Sequence, residues 1–296
     1  MLLLNSAQYW FSDEGVVVVP MSTAIVRIYT KDGFILAADG RGSKAIEKTA
    51  NRDNEQKVFP MVGKGRALAY AMQGMMSITD LEIKSVVVDL AEIVQDSIEA
   101  CSKTKSHHNL DWYAHKFAHL VQQKLTAQIN GLPDYSFPVV VANDPEIFLQ
   151  LFLCGYYRGV PSDSIISFRH ENHKVTHPDF HNFIPISPLG IFGSGIVSDL
   201  LFKTKDARFA EFRTDAVRKV AEIMMKIAPD KWDSLTLEDG VDIATNYIRA
   251  CDSEEGREVD NQSCSGIGGH IHVAEITEGH GFRWVIPPKA TLAIPV

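Results

Sequence analysis

Hydrophobic periodicity along this chain switches from strand to helix and back twice, and that order narrows the fold more than any single motif does. Residues 23–30, TAIVRIYT, are rich in β-branched and aromatic side chains and predict a strand. Lys31-Asp32-Gly33 is a hairpin turn signal, and residues 34–38, FILAA, are apolar enough for a strand buried on both faces. After a polar stretch from Asp39 to Glu55, KVFPMV and RALAYAM predict two further strands around Gly63-Lys64-Gly65. Residues 80–102 then carry Leu81, Ile83, Val86, Val87, Leu90, Ile93, Val94 and Ile98 at helical spacing, with Ser77 or Asp80 as the cap. Residues 110–129 repeat the pattern through Leu110, Trp112, Phe117, Leu120, Val121 and Leu125, and Gly131-Leu132-Pro133 stops it. Strand-like segments return at 136–142, 148–156 and 164–168. A glycine-bounded segment, Gly190 to Gly195, opens a long helical region over 196–227, and a second helix covers about 237–252. The chain ends in strands again: HIHVAEIT, a Glu-Gly-His-Gly turn, and FRWVI.

Hairpins dominate the strand blocks, so the sheets should be mainly antiparallel. Helices arriving in pairs between sheet blocks indicate layers rather than alternating βαβ units. Two packed sheets with a helix pair on each outer face, an α/β (α+β) four-layer αββα sandwich, would bury every one of these stripes. The 296 residues suit one large domain or two small ones.

Composition removes some functions. The net charge of -8 comes without a Lys/Arg-rich run, so no nucleic-acid footprint is expected. No apolar run approaches the roughly 20 residues that span a bilayer, so no membrane partner is expected either. Cys101, Cys154, Cys251 and Cys264 are widely spaced without a Cys-x-x-Cys, which fits a reduced, cytoplasmic protein; two disulfides are formally open but not needed at this length. Residues 1–22 lack the basic and apolar regions of a secretory signal. They read as a leader or pro-segment ahead of a domain over 23–296, with initiation at Met21 as the alternative. His115 and His119 stand at helical i, i+4 spacing, and His170, His173, His177 and His181 recur in a polar stretch over 169–187. Such spacing can bind zinc, yet no Cys or paired carboxylate accompanies it, so a solvated insertion loop is expected and no metal or other cofactor.

One constellation carries chemistry. Thr23 opens the first strand, Asp39 closes the second sixteen residues later within Ala-Ala-Asp-Gly-Arg, and Lys57 begins the third. Met72-Gln73-Gly74 follows, then Gly193-Ser194-Gly195 before a helix, then Gly268-Gly269 before a late strand. In order and spacing this resembles the β-type subunits of the proteasome, members of the N-terminal nucleophile hydrolases, over nearly the whole chain after residue 22. The resemblance implies an αββα sandwich, Thr23 as nucleophile, Lys57 and Asp39 as its support, Gly74 as an oxyanion donor and Ser194 as a group orienting the Thr23 amine. It also implies a homo- or hetero-oligomeric ring, polypeptide substrates and delivery by an ATPase unfoldase. The chain itself has no Walker motif.

That chemistry is physically coherent. A Thr hydroxyl is a poor nucleophile until a base takes its proton. A chain-terminal α-amine, with a pKa of about 7.7–8.0, is a base suited to neutral pH. A neighbouring ammonium such as Lys57 lowers that pKa by like-charge repulsion. A glycine such as Gly74 lets a backbone N–H approach a developing oxyanion closely.

The pattern also departs from the family. Ser22 stands where family precursors carry Gly before the nucleophile, and the segment from Asp39 to Lys57 is about two residues longer. Cys264 and Ile267 stand where a late acidic residue and Ser are usual, with Asp260 or Ser265 as the substitutes. Two other readings follow: a catalytically silent ring component, or a stand-alone amidase on the same fold.

Overall fold

The computed structural model describes residues 10–12, 15–17, 23–43, 51–63, 66–74, 77–80, 85–103, 110–130, 146–172, 174–183, 186–202 and 234–289. Within them lie strands β1 (Trp10–Ser12), β2 (Gly15–Val17), β3 (Ile25–Thr30), β4 (Gly33–Ala38), β5 (Gly42–Ser43), β6 (Asn51–Arg52), β7 (Val58–Gly63), β8 (Arg66–Gly74), β9 (Ser77–Asp80) and β10 (Ser85–Asp89). Helices α1 (Leu90–Ser102) and α2 (Leu110–Ile129) follow, then β11 (Ile147–Tyr157), β12 (Val160–Glu171), β13 (Lys174–Val175), β14 (Asp179–Asn182) and β15 (Leu189–Phe192). Helices α3 (Gly195–Phe202), α4 (Leu237–Cys251), α5 (Glu254–Val259) and α6 (Asn261–Cys264) lead into β16 (His272–Thr277) and β17 (Gly281–Ile286).

Two antiparallel sheets carry the fold. One runs β15-β3-β4-β16-β17; the other runs β13-β12-β11-β8-β7, with β14 paired to β12. Three apolar clusters separate four layers. Leu68, Tyr70 and Met72 of β8 face Val94, Ile98, Phe117 and Val121 of α1 and α2. Val26, Ile28 and Ala37 face Val197, Ile243 and Tyr247 of α3 and α4. Between the sheets, Ala67, Ala69 and Ala71 lie in the same cluster as Phe34, Phe152 and Tyr156, small residues admitting large ones. The result is the αββα sandwich that strand and helix blocks predict. Every residue of β4 is buried, as a strand apolar on both faces requires.

Both β3 and β12 contribute to a buried ion pair across the sheets, Arg27 with Asp163. Burial pushes the Asp163 carboxyl upward, and the Arg27 guanidinium opposes that shift.

Four sequence expectations change. Residues 77–80 and 85–89 pair as the antiparallel strands β9 and β10, where a helix over 80–102 is expected from the sequence. The cap is Asp89, whose side chain accepts from Glu92 N, and not Ser77 or Asp80. Val86, Val87 and Val88 are β-branched and favour the strand, and over so short a stretch their spacing satisfies either period. The polar 169–187 stretch contains the end of β12 together with β13 and β14, so it is not a loop throughout. Phe180, the one partly buried residue of β14, packs on the helix-side cluster and stacks on His115 at 3.9 Å. The glycine-bounded 190–195 segment is largely strand β15. Strands β1 and β2 pair with each other and, among the described residues, with neither main sheet. The predicted strand at 136–142, His173 and the helical stretch over 203–227 lie outside the described residues. No described helix is long and apolar enough to cross a membrane, and the four cysteines are free and buried.

Candidate active site

The site forms where β3 begins and β4 ends. Their register pairs Ile25 with Ala38, and the next step sets Ala24 beside Asp39. Asp39 N donates to Ala24 O at 3.1 Å, and Ala24 N returns a bond to Asp39 Oδ1 at 2.9 Å. The strand's first residues are thereby pinned, and Thr23 sits at the edge, 7% exposed.

Asp39 is fully buried, and all its acceptor capacity is used. Besides Ala24 N, it accepts from Arg41 N at 3.2 Å, from Gly268 N at 3.1 Å and from Lys57 Nζ at 2.9 Å. Gly268 has φ +147, a left-handed conformation that suits glycine, so the Gly268-Gly269 segment presents its amide to the carboxylate. Arg41 secures the same corner by bonding Ile267 O at 2.9 Å and Asp53 at 3.1 Å.

Lys57 arrives from the other sheet, at the start of β7, and is 3% exposed. Its ammonium lies between Asp39 and Thr23 and also donates to Thr23 Oγ1 at 3.2 Å. A buried ammonium needs a paired anion and hydrogen bonds, and this geometry provides both. His272, the first residue of β16, accepts from Lys57 N at 3.0 Å through Nε2. Burial, then the nearby Lys57 charge, push the His272 imidazole down from 6.5 to about 3, so it is neutral at ordinary pH.

Ser194 comes from a third direction. Phe192 pairs with Ile25, Gly193 follows it closely against Ala24, and Ser194 is the next residue. The Ser194 hydroxyl donates to Asp260 Oδ2 at 2.6 Å and accepts from Val197 N at 3.1 Å as the cap of α3. Tyr247 OH donates to Ser194 O at 3.0 Å. Asp260 also accepts from Ser263 N at 3.1 Å, capping α6. The free Cys251 and Cys264 thiols are hydrogen-bonding neighbours beside this group, and Ser194 is a second such neighbour of Cys264. Hydrogen bonding lowers the Cys264 thiol, while burial raises that of Cys251.

The structure therefore joins Thr23 and Asp39 through the Lys57 ammonium, and Ser194 lies just past the end of β15, the strand paired with β3. Gly74 ends β8 with φ +108, two residues past Met72, whose amide donates to Lys57 O at 2.9 Å. Of the two substitutes considered for the late acidic-Ser pair, Asp260 meets Ser194, whereas Ser265 caps the end of α6. His272 and Tyr247 were not singled out by motif. The signal for His272 lies in the β4–β16 register, which pairs it with Ala38 directly before Asp39. Among the described residues no group of His, Cys, Asp and Glu is placed to hold a metal ion.

Comparison with known proteins adds no family assignment: no family model matches this chain, and no curated protein matches it.

Proposed function

We propose that this chain is a threonine-type hydrolase of the proteasome β-subunit kind, cutting peptide bonds with the Thr23 hydroxyl. The single observation that carries the reading is the Lys57 ammonium held at 2.9 Å by Asp39 and reaching Thr23 Oγ1 at 3.2 Å, in a buried setting.

In the 296-residue chain the Thr23 nitrogen is peptide-bonded to Ser22, so hydrolysis requires cleavage at that bond. The freed α-amine then takes the hydroxyl proton as Oγ1 attacks the substrate carbonyl carbon. The Lys57 charge keeps that amine neutral near pH 7 by like-charge repulsion, and Asp39 keeps the Lys57 charge in place. Gly74 N–H is assigned to the developing oxyanion. The amine passes its proton to the leaving amine, and water then cleaves the acyl ester on Thr23. Ser194, fixed by Asp260, is assigned to hold the amine in line. Substrates on this reading are unfolded polypeptides, admitted to a ring of copies or related chains in the cytoplasm and delivered by an ATPase unfoldase.

Intact mass of the purified protein tests exposure: a terminus at Thr23 supports catalysis. Turnover of fluorogenic peptide amides should vanish in Thr23→Ala and persist, reduced, in Thr23→Ser. Full activity in Thr23→Ala would sink the assignment. Ser22, where a precursor of this kind carries Gly, favours a second reading as a silent ring component, and a retained leader with no turnover in an assembled particle would establish it. Light scattering separates both from a stand-alone amidase, which would have no ring-sized particle.

A further inference from the structure

The geometry points to His272 as the positioning residue for Lys57: its imidazole ties the Lys57 backbone to the sheet that carries Thr23 and Asp39. This rests on the hydrolase reading above and adds to it the part that joins the two halves of the site. Lys57 leads into β7, in the sheet containing β8, and Met72 N of β8 holds its carbonyl at 2.9 Å. Thr23 and Asp39 flank strands of the other sheet, to which β16 and His272 belong. The Lys57 ammonium reaches both of them only while the two sheets keep their relative position at this edge. The bond from Lys57 N to His272 Nε2, 3.0 Å long, fixes that position at the residue itself.

The chemistry explains why a histidine suits this place. Lys57 N–H is a donor, so Nε2 must carry its lone pair and the ring proton must sit on Nδ1. The His270 backbone is the ring's other hydrogen-bonding neighbour and favours a proton on it. His270 N in turn donates to Asp53 O at 2.6 Å, latching the loop that precedes Lys57. The ring stands edge-on to Trp284, with centroids 6.1 Å apart, and the residue is 1% exposed. A carboxylate here would compete with Asp39 for the ammonium. A neutral imidazole accepts the amide bond and leaves Nζ to Asp39 and Thr23. The depressed basicity of His272 agrees with this, since a second cation beside Lys57 is disfavoured.

The test uses the full chain as His272→Leu, which deletes the acceptor, and His272→Gln, which restores an acceptor of similar reach. Amide hydrogen exchange at Lys57, resolved by NMR or fragmentation mass spectrometry, is read alongside kcat and KM on a fluorogenic peptide amide. His272→Leu should speed Lys57 exchange and lower kcat, each by about ten-fold, with KM nearly unchanged. His272→Gln should return both toward wild type. Unchanged Lys57 exchange in folded His272→Leu overturns the proposal. So does loss of turnover in His272→Gln while the amide stays protected. If His272→Leu does not fold, His272→Gln decides: a protected amide with near-native kcat supports the tether, and an unprotected one overturns it. A wild-type protein that begins at Thr23 and hydrolyses nothing overturns the hydrolase reading and the catalytic purpose of the tether, while exchange still reports the tether itself.

Discussion

Ser194 Oγ donates to Asp260 Oδ2 at 2.6 Å, although 66 residues separate the two in the chain. Both are buried, so each is costly to leave alone. Asp260→Ala should destabilise the protein by about 1–3 kcal/mol in urea denaturation. Adding Ser194→Ala to it should cost less than the sum of the singles, with a coupling of about 0.5–3 kcal/mol. Additive losses would mean that the two side chains do not act together.

Asp39 closes a denser group, taking bonds from three backbone amides and from the Lys57 ammonium. Asp39→Ala should cost about 3–5 kcal/mol, because it strands a buried ammonium without its anion. The double variant Asp39→Ala with Lys57→Met should recover part of that loss while abolishing turnover. Equal stability of the single and double variants would show that the Lys57 charge finds another partner.

His272 gives the protein an acid limit. Its folded-state value of about 3 lies below the ordinary 6.5, so between those values the unfolded chain binds a proton there that the folded chain refuses. The neighbouring Lys57 ammonium adds to the burial effect, and His270 also disfavours the charged ring, although its backbone bond acts the other way. The contribution is complete above pH 6.5 and falls by about 1.4 kcal/mol per pH unit as pH drops toward 3. The stability of wild type relative to His272→Gln should therefore be constant above pH 6.5 and shrink below it. Parallel curves from pH 7 to pH 4 would contradict this.

Gly193 holds the turn that delivers Ser194. Its φ is +140, and a Cβ there would lie 2.9 Å from Tyr247 OH and 3.4 Å from Ala24 Cα. Gly193→Ala should cost about 1–3 kcal/mol and disturb the Ser194–Tyr247 contact. Gly279→Ala, with nothing within 4 Å of its Cβ, is the control and should stay within about 0.5 kcal/mol of wild type. Both are read from thermal or urea unfolding.

The parts of the fold legible in advance were those with a local cause. FILAA is apolar at every position and is buried at every position. Residues 110–129 keep a helical stripe and form α2 over the predicted span. The helix expected from residue 80 starts only at Leu90, because Val86 to Val88 satisfy two periods and pairing with β9 settles the choice. The resemblance singles out Thr23, Asp39 and Lys57, and the β3–β4 hairpin with the start of β7 sets Lys57 against the other two. Asp260 stood level with Ser265 as a substitute until the turns after α4 set its carboxylate against Ser194.

The sequence alone determined that β3, β4, α2 and the last two strands form, and which residues stand at the ends of β3 and β4, because periodicity and turn chemistry act over a few residues. Only the tertiary structure decided that His272 meets the Lys57 amide and that Asp260 meets Ser194. Those contacts depend on the register of β16 against β4 and on how the strands, α4 and the short helices after it pack across layers. That placement arises from burial summed over distant apolar faces, and no short window of sequence carries it.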